Sequence, residues 1–144
     1  MAEEKLRLEG IINTPIVFSR QHFLRLIIPD TYQNLIDLDI QEDYTMGYAK
    51  KVGFRASTCT PFYFYDLDFE IKTPLKLFPF ALMDTALKNS MELSNKESLQ
   101  KIIDLKNEVQ KVDGTFISIF HNETLSENEK WKGWSTIYKK MLLD

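Results

Sequence analysis

His121 is the side chain in this sequence with the clearest capacity for proton transfer. It directly follows the apolar segment TFISIF, residues 115–120, and it precedes Asn122 and Glu123, which offer hydrogen-bond partners. Imidazole changes charge within the physiological pH range, so a histidine at the end of a strand is a candidate general acid or base. A histidine that caps the strand or packs beneath the last helix is the alternative.

Asp84 and Arg55 could assist such a histidine. Asp84 ends the apolar run LKLFPFALM and precedes Thr85, where helical sequence begins. A carboxylate there can orient a histidine, cap the helix, or do both. Arg55 lies in the tetrapeptide GFRA, and its guanidinium can bind a carboxylate through two hydrogen bonds, as a catalytic or a structural pair. The catalytic candidates are therefore His121, Asp84 and Arg55.

Arg20 and His22 form a second group, in the hexapeptide SRQHFL. They follow the short apolar segment IVFS, residues 16–19, so they too are expected beyond the end of a strand. We predict a substrate-binding role for both, with a surface arginine and a histidine beside a helix start as the alternative.

Histidine and cysteine, the side chains that most often bind zinc, are few in this chain. Two histidines exclude a three-histidine site, and no ligand spacing indicates a metal centre. A site that combines the two histidines with Asp43 or Asp84 is allowed by ligand type alone. The single cysteine, Cys59, has no neighbouring base in sequence, which disfavours a nucleophilic role.

Composition narrows the classes of protein. A length of 144 residues predicts a single domain over 1–144, and a net charge of −3 gives no electrostatic case for nucleic acid or membrane as a partner. One cysteine excludes an internal disulfide, and no apolar run approaches the roughly 18 residues that a membrane span needs. The acidic start differs from a secretory signal, so we expect a cytoplasmic protein.

Helical and strand patterns alternate along the sequence. Helices are predicted over 3–12, from Asp30, over 94–112 and over 131–143, and short strands at IVFS, DYTM, GFRA, FYFYDL, LKLFPF and TFISIF. IVFS and TFISIF read as buried strands, and an apolar strand without a polar face is typical of a parallel sheet covered by helices. The fold class is therefore α/β with mostly parallel strands, whose carboxyl-terminal edge should carry the site.

Four local features sharpen this assignment. Asp30 and Ser94 should cap their helices, with Gln33 and Glu97 in the capping-box positions. Gly114 suits the left-handed position after the third helix. Proline at both ends of LKLFPF predicts a strand that is short or lies at a sheet edge.

The ordered set of segments SRQHFL, DYTMGYA, GFRASTCTPF, PF…MD…L at 79–87, GTFISIFHNE and WKGW…YKKM resembles the C-terminal part of a polysaccharide deacetylase-like protein of a bacterial branch. The resemblance covers the chain from about Pro15 onward. It implies a partial, truncated TIM-like deacetylase barrel with its site at the carboxyl-terminal strand edge.

The resemblance also implies roles for three residues. In complete relatives an Asp-His-His triad holds a divalent, zinc-type metal and a further aspartate is the base, but the motifs that carry them have no counterpart here. Arg55, followed by Pro61, would orient that base. His121 would be the general acid for the departing amine, and Asp84 is similar to the aspartate that tunes this histidine.

The implied activity is removal of an N-acetyl or O-acetyl group from a sugar polymer, which we expect the chain not to perform alone because the metal motifs are missing. The alternative is a non-catalytic carbohydrate-binding or interaction module. Its candidate contacts are Tyr63, Tyr65, Trp131 and Trp134 as stacking surfaces, with Arg20 and Arg55 as hydrogen-bond donors. A third interpretation is a fragment completed by another chain, its missing N-terminal half or a second copy.

Overall fold

The computed structural model describes residues 1–143, which form two compact units. The first unit comprises Met1–Met46 and Pro61–Phe78, and the second comprises Gly47–Thr60 and the chain from Pro79 onward. Each unit contains helices and its own sheet. The single domain expected over 1–144 stays a prediction.

The first unit is built on a four-stranded mixed sheet in the order β1-β2-β4-β3. Strands β1, β2 and β4 run parallel to one another, and β3 forms an antiparallel hairpin with β4. In chain order its elements are α1 (Ala2–Ile12), β1 (Phe18–Ser19), a 3₁₀ turn (His22–Leu24), α2 (Asp30–Asp37), β2 (Glu42–Asp43), β3 (Phe62–Asp66) and β4 (Ile71–Leu77).

The prediction that LKLFPF forms a short strand or an edge strand was wrong, as β4 shows. It begins before Pro74, runs through it, and lies between β2 and β3 rather than at an edge. The β3–β4 register shifts between Tyr63 and Tyr65, which places an irregularity beside the proline. A proline donates no ladder hydrogen bond, and a bulge is where a sheet accommodates that loss.

The second unit is built on a two-stranded parallel sheet covered by helices. Its elements are β5 (Leu82–Met83), a π-helical turn (Ala86–Ser90), α3 (Asn95–Lys111), β6 (Ser118–Ile119), two 3₁₀ turns (Glu123–Leu125 and Glu129–Trp131) and α4 (Trp134–Leu143). Its buried hydrophobic core contains Leu82, Leu87, Ile102, Leu105, Trp131, Trp134, Ile137 and Met141.

The start of α3 confirms the predicted capping box, because Ser94 and Glu97 each accept the other's backbone N–H. Its end differs from the prediction. Asp113 takes the left-handed conformation, with φ of 50°, and Gly114 does not. A side chain at Gly114 would put a Cβ 2.3 Å from the Cys59 sulfur, so close packing is the reason for the glycine.

Other local predictions, on three strands and a helix cap, were wrong. GFRA forms a turn rather than a strand, and Phe18 in IVFS is 60 % exposed. Only two residues of TFISIF pair in β6, and that segment remains partly exposed rather than buried on both sides. Asp30 makes no side-chain cap, and Gln33 instead donates to the Asp66 carboxylate.

The predicted α/β class is confirmed, with three of the four strand pairings parallel. Within the described residues, neither sheet closes on itself as a barrel. No helix in the described part of the chain has the length and apolar character needed to cross a membrane.

Candidate functional site

Asp84 lies at the centre of a hydrogen-bonded polar cluster in the second unit. Its side chain is fully buried, and its carboxylate takes part in four hydrogen bonds. Oδ1 accepts from the Thr85 backbone N–H at 2.6 Å and lies 2.7 Å from Nδ1 of His121. Oδ2 accepts from the His121 backbone N–H at 2.6 Å and from the Thr124 hydroxyl at 2.5 Å. These four contacts hold the carboxylate in one orientation.

Strand pairing explains why these residues meet although 37 positions separate Asp84 from His121. Strands β5 and β6 are parallel neighbours, with Met83 opposite Ile119. Asp84 follows β5 immediately, and His121 follows β6 by two residues, so both lie at the carboxyl ends of adjacent strands. This is the edge at which α/β sheets place their functional residues. The sequence expectation that Asp84 could orient His121 agrees with this geometry.

The His121 ring is held on one side and open on the other. Its side chain is 45 % exposed, whereas Asp84 has no exposed surface. Because an ionised carboxylate only accepts hydrogen bonds, we expect Nδ1 to donate to Asp84, which leaves Nε2 on the open side of the ring. This arrangement provides a fixed imidazole whose outer nitrogen can exchange a proton with a bound molecule.

Thr124 belongs to the same cluster, and the sequence analysis missed it. It is buried in the 3₁₀ turn that follows β6, and its hydroxyl lies 2.8 Å from the His121 carbonyl as well as bonding Asp84. It lies three positions after His121 in the segment HNET, a spacing that one helical turn brings together. That spacing was the available signal.

Arg55 lies in the second unit but does not contact a carboxylate. Its guanidinium donates to the Gly47 backbone carbonyl at 3.3 Å, and no acidic side chain in the described part of the chain lies within ion-pair distance of it. The turn at GFRA is closed by a different bond, from the Ser57 backbone N–H to the Phe54 carbonyl at 3.0 Å. A role in orienting a catalytic base stays a prediction for Arg55.

Trp134, expected to bind substrate, is fully buried at the start of α4. Its ring packs edge-on against Trp131, 5.1 Å away between centroids, and lies 6.2 Å from Phe120. Trp131 is also buried. Both tryptophans are therefore core residues in this unit, because the WKGW segment enters α4 with its rings turned inward, and neither presents a ring face to a ligand.

Arg20 and His22 lie in the first unit, just beyond the end of β1, and both are exposed. Nε of Arg20 donates to the Tyr44 carbonyl at 3.2 Å, and its guanidinium lies 5.9 Å from the centre of the Tyr44 ring. The His22 ring packs 4.1 Å from that of Phe23. Their expected substrate contacts stay a prediction.

The first unit holds a second buried carboxylate that was considered only as a metal ligand. Asp43 ends β2, has no exposed surface, and accepts hydrogen bonds from the Thr45 backbone N–H at 2.9 Å and hydroxyl at 2.7 Å. Burial raises the pKa of the Asp43 carboxyl, and the hydrogen bonds from Thr45 oppose that rise. The neighbouring Tyr44 hydroxyl bonds Glu42 at 2.6 Å, which raises the pKa of Tyr44 to about 12.

The described residues contain no group of three or more histidine, cysteine, aspartate or glutamate side chains placed to hold a metal ion. The donor set therefore does not fit the divalent metal of complete deacetylases. No family model, curated protein or solved structure matches the chain.

Proposed function

We propose that His121 is a general acid–base residue held by Asp84, and that the chain supplies the proton-transfer part of a polysaccharide deacetylase-like hydrolase. The observation that carries this proposal is the 2.7 Å contact between Nδ1 of a half-exposed histidine and a fully buried carboxylate. The pair lies at the carboxyl ends of two parallel strands, as the resemblance implied for the deacetylase-like fold.

The chemistry assigned to His121 is donation of a proton to a departing nitrogen or oxygen. In the protonated imidazole, Nε2–H is the donor, and the Asp84 carboxylate stabilises the positive charge from the Nδ1 side. When the leaving group departs with that proton, the ring becomes neutral with its remaining proton on Nδ1. The substrate class, an acetylated sugar polymer, comes from the sequence resemblance.

The proposal includes dependence on a partner. The family's metal triad and base are absent from the sequence, and the described residues do not form a metal site. We therefore expect the chain alone to release no acetate from an acetylated oligosaccharide, with or without added zinc. The partner in this proposal is a second copy or a chain that carries the missing motifs, and the location is cytoplasmic, where a lone cysteine stays reduced.

An activated ester tests the reactivity of the His121 ring without that partner. Because p-nitrophenolate leaves without a proton, p-nitrophenyl acetate reports on the unprotonated Nε2 acting as a base or nucleophile, and the chain should hydrolyse it. The variants His121→Gln and His22→Gln each leave one histidine, and the difference between them measures what the Asp84 contact adds. We expect most of the rate to be lost in His121→Gln and in Asp84→Asn. Equal rates in the two histidine variants would refute the assignment.

An oligosaccharide assay tests the dependence on a partner. N-acetylated chito-oligosaccharide is incubated with the chain, with zinc and with chelator, and free acetate is measured. Turnover that both chelator and His121→Ala abolish would show that the isolated chain is a complete deacetylase, against the proposal.

One observation favours the alternative of a carbohydrate-binding module. Tyr63 and Tyr65 are 45 % and 50 % exposed on one face of β3, and the Lys72 ammonium lies 4.4 Å from the centre of the Tyr63 ring. Half-exposed tyrosine rings are suitable platforms for sugar rings. Affinity electrophoresis with soluble glycans, comparing Tyr63→Ala with Phe69→Ala in the adjoining turn, distinguishes this binding from a general effect of losing an exposed aromatic ring.

A further inference from the structure

A groove in the first unit lies beside α1 and has an apolar lining. Its volume is about 390 Å³, within the range of small-molecule sites. The apolar side chains come from α1, from the segment around β1, and from α2 and the residues after it. They are Leu8, Ile16, Phe18, Leu35, Leu38 and Ile40.

One end of this groove is polar and carries positive charge. Arg20, Gln21 and His22 line it where the chain leaves β1. Arg20 uses Nε to bond the Tyr44 carbonyl, and among the described residues no carboxylate lies within ion-pair distance of its guanidinium. Nε is thus the guanidinium nitrogen engaged in a hydrogen bond within the described residues, which leaves the terminal nitrogens as donors for a ligand.

The charges on the α1 side of the groove compensate each other. The Lys5 ammonium bonds the Glu9 carboxylate at 2.7 Å, and the Glu4 carboxylate lies 2.9 Å from the N-terminal ammonium. The Asp43 carboxylate attracts the Arg20 guanidinium electrostatically, but the two side chains form no salt bridge. The groove thus combines an apolar body with one always charged guanidinium that has no ion-pair partner among the described residues.

We propose that this groove binds an amphiphilic monocarboxylate, with an aliphatic tail along the apolar lining and the carboxylate on Arg20. A planar guanidinium pairs with a planar carboxylate through two parallel hydrogen bonds, which an ammonium cannot reproduce. A single fixed cation balances one negative charge, so a monocarboxylate fits the groove better than a phosphate dianion. His22, which also lines this end, can donate a further hydrogen bond when protonated. This inference does not depend on the assignment of Asp84 and His121.

The binding test uses decanoate as the probe. Decanol is the control for the carboxylate, and acetate is the control for the aliphatic tail. Titration of the ¹⁵N-labelled full chain should give decanoate shifts confined to the residues of the groove. Decanol should bind at least about tenfold more weakly, since a charge-assisted hydrogen bond contributes the equivalent of a tenfold or larger change in affinity. Acetate should also bind more weakly, because it lacks the aliphatic tail whose burial favours association.

Variants of two arginines provide a matched comparison. Arg20→Met should weaken decanoate binding by about tenfold or more, and Arg20→Lys should restore only part of it. Arg25→Met removes a nearby exposed arginine outside the groove and should leave the affinity unchanged. Both arginine side chains are exposed, so the amide spectra should show a folded chain in each of the three variants.

Several outcomes would overturn the inference. Equal affinity for decanol and decanoate, an unchanged affinity in Arg20→Met, or shifts spread over the whole chain would each show that no built carboxylate site exists. A concentration-dependent dimer whose interface shifts coincide with the groove would assign the surface to a second copy instead.

Discussion

Each unit of this chain buries an aspartate at the carboxyl end of a parallel strand, but the two carboxylates have different partners. Asp43 ends β2 and bonds Thr45, two residues further along. Asp84 follows β5 and bonds residues 37 and 40 positions away, among them a half-exposed histidine. Asp43 also accepts from the Ser19 hydroxyl on the neighbouring strand β1, so both carboxylates join two strands, but of the two only Asp84 bonds a titratable ring.

The difference shows that burial and position do not by themselves indicate a function. Both aspartates have no exposed surface and both lie at the edge where α/β folds place their sites. Asp84 hydrogen-bonds a half-exposed imidazole, whereas the hydrogen bonds of Asp43 come from the side chains and backbone of Thr45 and Ser19. The partner of the carboxylate is therefore the informative feature, and it depends on strand pairing.

The largest expected effect is from Asp84→Ala. Removing this carboxylate leaves two backbone N–H groups, the Thr124 hydroxyl and the His121 ring without their acceptor. Because buried donors without a partner are costly, we expect the free energy of unfolding to fall by roughly 3 kcal/mol. Urea denaturation of Asp84→Ala and Asp43→Ala measures the contrast. A smaller loss for Asp84 than for Asp43 would contradict the view that Asp84 joins distant parts of its unit.

A smaller effect is expected from Thr124→Val, which keeps the side-chain shape but removes one donor to Asp84. We expect a loss of about 1–2 kcal/mol in the free energy of unfolding. Thr124→Ser keeps the hydroxyl and should retain more of that stability than valine does. If serine and valine are equivalent in urea denaturation, the hydroxyl is not what holds Asp84.

The pH dependence of the free energy of unfolding should reveal the contribution of Asp43. Burial raises the pKa of Asp43 above its ordinary value of 3.8, so the unfolded chain releases this proton at lower pH than the folded chain. The free energy of unfolding attributable to Asp43 is therefore highest at low pH, falls as pH rises from about 3.8 through the raised pKa, and is flat above it. Asp43→Asn should remove this fall, measured by urea denaturation across pH 3–8. An unchanged pH profile would contradict it.

Local sequence chemistry predicted the helices well. The Ser94–Glu97 capping box and the apolar spacing of α3 are properties of residues a few positions apart, and the structure confirms the box. The strands were harder, because their lengths depend on partners elsewhere in the chain. Pro74 suggested a sheet edge, whereas β4 accommodates it between two neighbours through a bulge.

The candidate site could be predicted only in part, because it also depends on which strands pair. The apolar runs before Asp84 and His121 predicted that both follow strands, and parallel pairing then placed them together. The spacing of His121 and Thr124 indicated that the two lie close together, but the bond from Thr124 to Asp84 and the inward orientation of Trp134 depend on how the segments after β6 pack. The strand-end position of Asp43 likewise did not reveal that its hydrogen-bond donors are Thr45 and Ser19.

The protonation state of the His121 ring tests the central claim most directly. The chain has two histidines, so ¹⁵N spectra of the ring nitrogens can be assigned with one substitution, His22→Gln. The account predicts that neutral His121 carries its proton on Nδ1, held by Asp84, and that Asp84→Asn changes that proton distribution while the chain stays folded. A proton on Nε2 of neutral His121, unaffected by Asp84→Asn, would contradict the account.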